Sequence, residues 1–165
     1  MRTRLVAVVG GGTKLSPDQE TTAEELGAGL VGAGYGVVCG GLGGVMEAVA
    51  RGAARARGEA PWPPVVGILP NYDPAAGNDH LDIVLPTGMG HARNVLVAAA
   101  GEAVICVGGA MGAMSEMAIA RKIGRPVVTL PGSGGAARVL SKAVQTVISA
   151  ENAADAVAKV KELLS

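Results

Sequence analysis

The stretch Leu5-Val6-Ala7-Val8-Val9-Gly10-Gly11-Gly12 indicates the fold most directly. Five apolar residues in succession are typical of a strand at the centre of a parallel sheet, where helices cover both faces. The three glycines that follow predict a tight turn. Ser16-Pro17-Asp18-Gln19 then has the pattern of a helix start, because Ser16 can cap the helix and Gln19 completes a capping box. The first part of the chain therefore predicts a strand, a turn and a helix.

The same alternation continues along the chain. Strands are predicted at residues 35–39, 65–69, 81–85, 103–107 and 126–130, and helices at residues 45–57, 91–100, 112–123 and 152–164. Residues 143–148 fit an edge strand or a helix, and the strand is our prediction. Strands that alternate with helices over short links favour right-handed crossovers. We therefore predict a single α/β domain over residues 1–165, with a doubly wound parallel sheet and helices on both faces.

Composition excludes several classes of protein. The 165 residues carry 14 lysines and arginines and 14 aspartates and glutamates, so the formal net charge is zero. This balance gives no electrostatic reason to expect a nucleic acid or an anionic membrane as partner. Two cysteines cannot form a disulfide framework, the chain opens without a signal-peptide pattern, and its apolar runs are too short for a bilayer. We expect a soluble, cytoplasmic protein.

Glycines collect where three of the predicted strands end, and there they predict an anionic ligand. Parallel sheets bind ligands beyond the carboxyl ends of their strands, and glycine turns that enter helices present backbone amides to phosphate. The alternative is that these glycines only make tight turns, and three such turns favour a phosphate-bearing ligand. The predicted contacts are Gly11, Gly12 and Lys14, then Gly40, Gly41, Leu42, Gly43 and Gly44, and then Gly108, Gly109, Ala110, Met111, Gly112 and Ala113.

One motif match is misleading, and metal ligands are sparse. Gly27-Ala28-Gly29-Leu30-Val31-Gly32 fits the dinucleotide fingerprint literally, but it lies inside a predicted helix, where close helix packing is the better interpretation. His80 and His91 lack the spacing of a helical zinc site. Cys39 and Cys106 end predicted strands, and we expect them to be small buried apolar residues. No metal site is predicted.

Two charged residues stand out as candidates for the site. Arg93 lies in the first turn of a predicted helix, where the helix dipole disfavours a cation, so an anionic ligand would explain it. Glu116 lies one turn into the helix that follows Gly108-Gly109, and its carboxylate could stabilise the helix start, accept ligand hydroxyls or act in acid–base chemistry. His91, beside the same predicted cleft, is a further candidate contact. Together these residues extend the predicted site.

Three segments carry a resemblance to a known family. Residues 40–47, 90–94 and 108–116 resemble, in that order, motifs of the "lonely guy" family, which has a modified Rossmann fold. Enzymes of that family hydrolyse the N-glycosidic bond of cytokinin riboside monophosphates, and their signature is P-G-G-x-G-T-x-x-E. The resemblance implies that Arg93 and Glu116 fall on the catalytic arginine and glutamate. It covers nearly the whole chain.

The chain departs from the hydrolase pattern at three positions. Val107 stands at the signature proline, Ala113 stands at the threonine that would meet phosphate, and Asn94 replaces the usual lysine. A missing hydroxyl and a missing cation each remove a donor for phosphate, at a cost on the order of 1–3 kcal/mol per unpaired contact. A branch of the superfamily without hydrolysis therefore fits better.

In length and in its alanine- and glycine-rich composition, the chain resembles the molybdenum cofactor carrier proteins of green algae. That resemblance implies a homo-oligomer that binds and protects molybdenum cofactor, a molybdopterin with a terminal phosphate, and passes it to molybdoenzyme apoproteins without catalysis. Asn94 then belongs to the ligand site. The alternative is a nucleoside 5′-monophosphate phosphoribohydrolase that uses Arg93 and Glu116, and a third reading is a nucleotide sensor.

Overall fold

The computed structural model describes residues 2–165, and in them one sheet of seven parallel strands forms. The strands are β1 (Leu5–Gly10), β2 (Gly36–Cys39), β3 (Val65–Leu69), β4 (Ile83–Pro86), β5 (Ala103–Val107), β6 (Val127–Leu130) and β7 (Ile148–Ser149). Their order across the sheet is β4-β3-β2-β1-β5-β6-β7, and every neighbouring pair is parallel. The predicted central position of β1 and the parallel sheet are confirmed.

Helices cover both faces of the sheet, as the apolar strand runs predict. They are α1 (Pro17–Gly32), α2 (Val45–Arg57), α3 (Asn94–Ala100), α4 (Met111–Lys122), α5 (Gly135–Ala143) and α6 (Ala153–Leu163). Because strand side chains alternate between faces, Val6 and Val8 pack beneath α1, α2 and α6, while Ala7 and Val9 pack beneath α3, α4 and α5. Within residues 2–165, no helix has the length and apolar character needed to span a bilayer.

The prediction for residues 143–148 is wrong except at its last residue. Ala143 ends α5, a helix that the sequence pattern did not reveal, and the edge strand comprises only Ile148 and Ser149. No side chain caps α5, and the amides of Ala136 and Ala137 instead donate to the distant carbonyls of Gly109 and Gly108. Such tertiary hydrogen bonds leave no local signal in the sequence.

Gly27 and Gly29 of the misleading motif serve helix packing. A Cβ at Gly27 in α1 would lie 2.0 Å from the Val49 carbonyl oxygen in α2, and a Cβ at Gly52 would lie 2.1 Å from the Glu24 carbonyl oxygen. The two backbones therefore approach each other more closely than side chains would allow. Arg51 also joins these helices, through a 2.7 Å ion pair with Glu24. The packing interpretation of this segment is confirmed.

The two cysteines occupy opposite faces of the sheet. Cys39 belongs to the core beneath α1, α2 and α6, whereas Cys106 belongs to the core beneath α3, α4 and α5. Both are fully buried, and neither forms a disulfide. Their prediction as small buried apolar residues is confirmed.

Candidate functional site

The candidate site lies at the topological switch point of the sheet, where the strand order reverses. β1 has β2 on one side and β5 on the other, so the two halves of the sheet meet between β1 and β5. Open α/β sheets bind ligands beyond the carboxyl ends of the strands at such a point. A cleft of about 350 Å³ opens there, beside Gly10 at the end of β1 and the turn that follows Val107. Its volume suits a small organic ligand.

The cleft brings together two of the three glycine-rich segments. Its walls are the turn after β1 and the turn that leads into α4. Seven of the predicted contacts line it: Gly11, Gly12, Lys14, Gly109, Ala110, Gly112 and Ala113. The sequence-based prediction missed four further lining residues, namely Gly10, Thr13, Leu15 and Gln19. Thr13 and Leu15 flank Lys14 in the same short loop, which was the available signal for them.

The start of α4 is open toward this cleft. Its N-cap residue, Ala110, has no side chain that can accept a hydrogen bond, and the first turn contains no acidic residue. Within residues 2–165, no acceptor pairs with the backbone amides of Met111, Gly112 or Ala113. Unpaired amides and the positive end of the helix dipole favour an anion at this position.

The start of α5 is closed, and this shapes the wall of the cleft. The Ala136 and Ala137 amides donate to the Gly109 and Gly108 carbonyl oxygens, each at 2.9 Å. The Gly108 amide in turn donates to Ser133 Oγ at 2.7 Å. Gly108 and Gly109 have φ angles of 58° and 86°, which glycine adopts without strain. Both carbonyl groups are thus held by α5, and the neighbouring amides of α4 stay free for a ligand.

The third glycine-rich segment, Gly40–Gly44, supports the cleft without lining it. The Val45 amide donates to the Gly11 carbonyl oxygen at 2.8 Å, and a Cβ at Gly44 would lie 2.1 Å from that same oxygen. Gly41 and Leu42 accept hydrogen bonds from the Asn78 side chain. Gly43 is half-buried near the Gly12 carbonyl group. This segment therefore holds the turn after β1 in place by packing against Gly11 and Gly12.

Arg93 and Glu116 meet in the interior, beside β2. Arg93 Nη1 lies 3.6 Å from Glu116 Oε1, and the two residues are only 8% and 6% exposed. A Cβ at Gly40 would lie 2.5 Å from Arg93 Nη1, so the guanidinium packs directly against the end of β2. The sequence predicts both residues as contacts in the ligand site, but neither lines the cleft. Arg93 Nε is buried without a hydrogen-bond partner.

Burial raises the pKa of Glu116 to about 7, and the nearby positive charge of Arg93 partly opposes that shift. A carboxyl group with a pKa near neutrality can hold or release a proton under ordinary conditions. It could act as a general acid or base if a ligand reached it. The site thus contains a chemically competent carboxyl group that is shielded from the cleft.

Asn94 joins this pair to α4. Its Oδ1 accepts a hydrogen bond from Arg93 Nη1 at 3.0 Å, and its Nδ2 donates to Ser115 Oγ at 2.9 Å. Ser115 Oγ donates in turn to the Gly112 carbonyl oxygen at 2.7 Å. Asn94 is 8% exposed and does not line the cleft. Where the hydrolase pattern has a lysine, this chain therefore has a buried side-chain amide that bridges Arg93 and Ser115.

Three other predicted contacts lie outside the cleft. His91 is exposed in the 3-10 turn Gly90–Arg93, and Met111 is 80% exposed at the first position of α4. Gly108 is buried behind the turn that it forms. Among residues 2–165, no group of three or more histidine, cysteine, aspartate or glutamate side chains is arranged to hold a metal ion.

Solved structures resemble the chain over its whole length. The molybdenum cofactor binding protein of the phototrophic bacterium Rippkaea orientalis is 28% identical, with a TM-score of 0.89 over 100% of this chain and 99% of that one. The molybdenum cofactor carrier protein of Chlamydomonas reinhardtii is 32% identical, with a TM-score of 0.83 over 99% of each chain. The resemblance that the sequence motifs indicate is confirmed, as is the fold.

Sequence comparison agrees with this result. A protein of Archaeoglobus fulgidus is 42% identical over 132 residues, which make up 79% of this chain and 82% of the relative. The model of one family, the SLOG cluster4 family, matches residues 3–164. A match over nearly every residue defines membership, and the chain belongs to the SLOG cluster4 family.

Proposed function

We propose that this protein binds and carries molybdenum cofactor and does not transform it. The observation that carries the proposal is the uncapped start of α4, which opens on a cleft at the sheet's switch point. A carrier must recognise a cargo with a terminal phosphate, and free helix amides suit that group. The similarity over the whole chain to proteins that carry this cofactor supports the same assignment.

The cleft can receive the charged end of such a cargo. The terminal phosphate would accept hydrogen bonds from the first amides of α4, while Gly11 and Gly12 allow it to approach the opposite wall closely. Lys14 is exposed on that wall and would add a positive charge. The pterin dithiolene itself holds the molybdenum, so this binding mode requires no protein ligand to the metal.

The burial of Glu116 favours a carrier over a hydrolase. A catalytic carboxyl group must reach the scissile bond, but Glu116 is 6% exposed, paired with Arg93 and absent from the cleft wall. Ala113 and Asn94 also supply neither the hydroxyl nor the cation of the hydrolase pattern. The second candidate function, phosphoribohydrolase activity, is favoured by the pKa of Glu116, which is raised to about 7 and suits a general acid or base. It predicts adenine release from AMP that Glu116→Ala abolishes.

An uncovered part of the sheet supports the proposal that the protein is a homo-oligomer. On edge strand β4, Ile83 and Leu85 are 43% and 46% exposed, and they lie in register with Val66 and Ile68 of the α3 side. Val95 and Leu96 of α3, a helix on the same face of the sheet, are also exposed, at 48% and 38%. Exposed apolar patches can mark protein contacts. Light scattering would give the mass in solution, and Leu85→Arg should reduce it.

The cargo proposal is tested by anaerobic gel filtration after incubation with released molybdenum cofactor. Pterin fluorescence and molybdenum should coelute with the protein in equal amounts. Lys14→Gln should bind several-fold more weakly, whereas Lys142→Gln, which changes an equally exposed lysine on α5, should bind like the wild type. A protein peak without pterin would overturn the proposal. A carrier must also release its cargo to an apoprotein, so transfer to a cofactor-free molybdoenzyme is the next experiment.

A further inference from the structure

Hydrogen bonds link the buried ion pair to the wall of the cleft without interruption. They run from Arg93 Nη1 to Asn94 Oδ1, from Asn94 Nδ2 to Ser115 Oγ, and from Ser115 Oγ to the Gly112 carbonyl oxygen. The distances are 3.0, 2.9 and 2.7 Å, which are all within the normal range. We call these three bonds the Asn94 bridge. Its last member, Gly112, lines the cleft.

The inner end of the bridge is fixed. Arg93 is held by Glu116 on one side and packs against the end of β2 at Gly40 on the other. Because Arg93 and Asn94 are each 8% exposed, water competes little for their hydrogen bonds. The guanidinium is therefore a rigid reference point for whatever it holds.

The outer end of the bridge needs support. α4 has no capping side chain, and the first turn of an uncapped helix frays readily. Gly112 is in that first turn and Ser115 begins the next one, and their hydrogen bond alone is a local one that many helices contain. What distinguishes Ser115 is its second partner, Asn94, on a different helix. The bridge thus ties the first turn of α4 to the interior.

We propose that Asn94 is a positioning residue, which holds the first turn of α4 so that its free amides point into the cleft in the direction an anionic group needs. This inference rests on the proposed function only in identifying that group with the phosphate of the cargo. A turn that is already ordered loses less conformational entropy when the ligand binds, so affinity rises without any contact between Asn94 and the ligand.

The side-chain chemistry explains why asparagine suits this position. The bridge requires one acceptor, for the guanidinium, and one donor, for the serine hydroxyl, on the same short side chain. An amide offers both, whereas a lysine ammonium group has donors only. The lysine of the hydrolase pattern would offer its positive charge directly to phosphate. Asn94, in its place, supports the helix start instead.

The test compares Asn94→Ala, Ser115→Ala and their double variant with the wild type. Ser141→Ala is the matched control, because Ser141 makes the same local bond to the Arg138 carbonyl oxygen in α5 but lies far from the bridge. Affinity for released molybdenum cofactor would be measured, together with hydrogen exchange of the amides of residues 114–116, which are the first to be hydrogen-bonded within α4. The exchange experiment needs no ligand, and Ser115→Ala remains informative if Asn94→Ala does not fold.

We expect each single variant to bind the cofactor five- to tenfold more weakly and the double variant to be no weaker than the weaker single one. Exchange at residues 114–116 should accelerate in both single variants, while Ser141→Ala leaves affinity and exchange at these residues unchanged. Unchanged affinity and exchange in the single variants, or losses that multiply in the double variant, would overturn the bridge. If the wild type does not bind the cofactor, the proposed function fails and exchange alone decides on the bridge.

Discussion

The first backbone amides of α6 and α4 have no partner within their own helix. A side chain caps this end in α6, whereas none does in α4. In α6, the Asn152 side chain accepts the Asp155 amide at 2.9 Å, and Asp155 places a negative charge in the first turn. In α4, Ala110 offers no cap and the first turn carries no acid. At a capped start, a hydrogen bond from a backbone amide to the cap stabilises the fold. At an open start, the amides remain available to a ligand. The difference therefore separates a helix end that is closed by its own cap from one whose amides are free to bind a ligand.

The largest expected effect comes from the glycine that closes the start of α2. Gly44 has a φ of 65°, and an added Cβ would lie 2.1 Å from the Gly11 carbonyl oxygen. Gly44→Ala should lower the free energy of unfolding by at least about 3 kcal/mol, measured by urea denaturation. In open α4, a Cβ at Gly112 meets no atom within 4 Å. Gly112→Ala is therefore the control and should gain up to about 1 kcal/mol; equal losses would contradict the contrast.

Charge provides a second test, because α4 itself carries a buried carboxyl group, that of Glu116. Its pKa is raised to about 7 by burial, so the folded protein retains a proton that the unfolded chain loses above about pH 4.5. Stability from this group is therefore complete below about pH 4.5 and falls, on the order of 3 kcal/mol in total, as the pH rises through about 7.

Glu116→Gln removes this dependence. Urea denaturation between about pH 5 and pH 8 should show the variant gaining stability relative to the wild type as the pH rises. Glu25→Gln, which changes an exposed glutamate on α1, serves as the control and should give a curve parallel to that of the wild type. A Glu116→Gln curve that is also parallel would show that burial does not raise the pKa of Glu116.

The most direct test is to close the open start. Ala110→Asp would place a capping carboxylate at the amides of α4, where it would both occupy the donors and repel an anion. Affinity for released molybdenum cofactor should fall about a hundredfold, or about 2.7 kcal/mol, while thermal stability stays the same or rises. Ala110→Asn, which caps without a charge, should fall between this variant and the wild type. Undiminished affinity in Ala110→Asp would place the cargo elsewhere.

The smallest effect is expected at the capped start of α6. Asn152→Ala removes the acceptor of the Asp155 amide and should cost about 1 kcal/mol of stability in urea denaturation. Affinity for the cofactor should not change, because Asn152 does not line the cleft. A loss of affinity in Asn152→Ala would mean that capped starts also contribute to binding.

Local patterns in the sequence predict much of this architecture. The apolar run of β1 predicts a central parallel strand, and Ser16 with Gln19 predicts the capping box that forms at α1. The glycines after β1 and β5 predict two walls of the cleft. These features succeed because the residues that decide them are neighbours in the chain.

The features that the sequence predicted wrongly, or did not predict, depend on residues that are distant in the chain. α5 begins on the carbonyl groups of Gly108 and Gly109, more than twenty residues upstream, and its own sequence contains no cap. Asn94 and Ser115 meet only because α3 and α4 pack side by side. Gly40–Gly44 resembles a ligand loop, but Gly44 is required by the close approach of the Gly11 carbonyl oxygen, and Gly40 and Gly41 by side chains that pack against them. Composition alone does not distinguish a glycine that faces a ligand from one that faces another chain segment.

The burial of the two cysteines has a consequence for sulfur chemistry. Desolvation raises the pKa of Cys39 to about 11, and burial raises the pKa of the Cys106 thiol as well. Thiolates, and not thiols, attack disulfides and ligate soft metals. Both sulfur atoms therefore stay protonated and out of reach at neutral pH. The proposed carrier would therefore enclose a dithiolene without competing for its molybdenum and without exchanging sulfur with it.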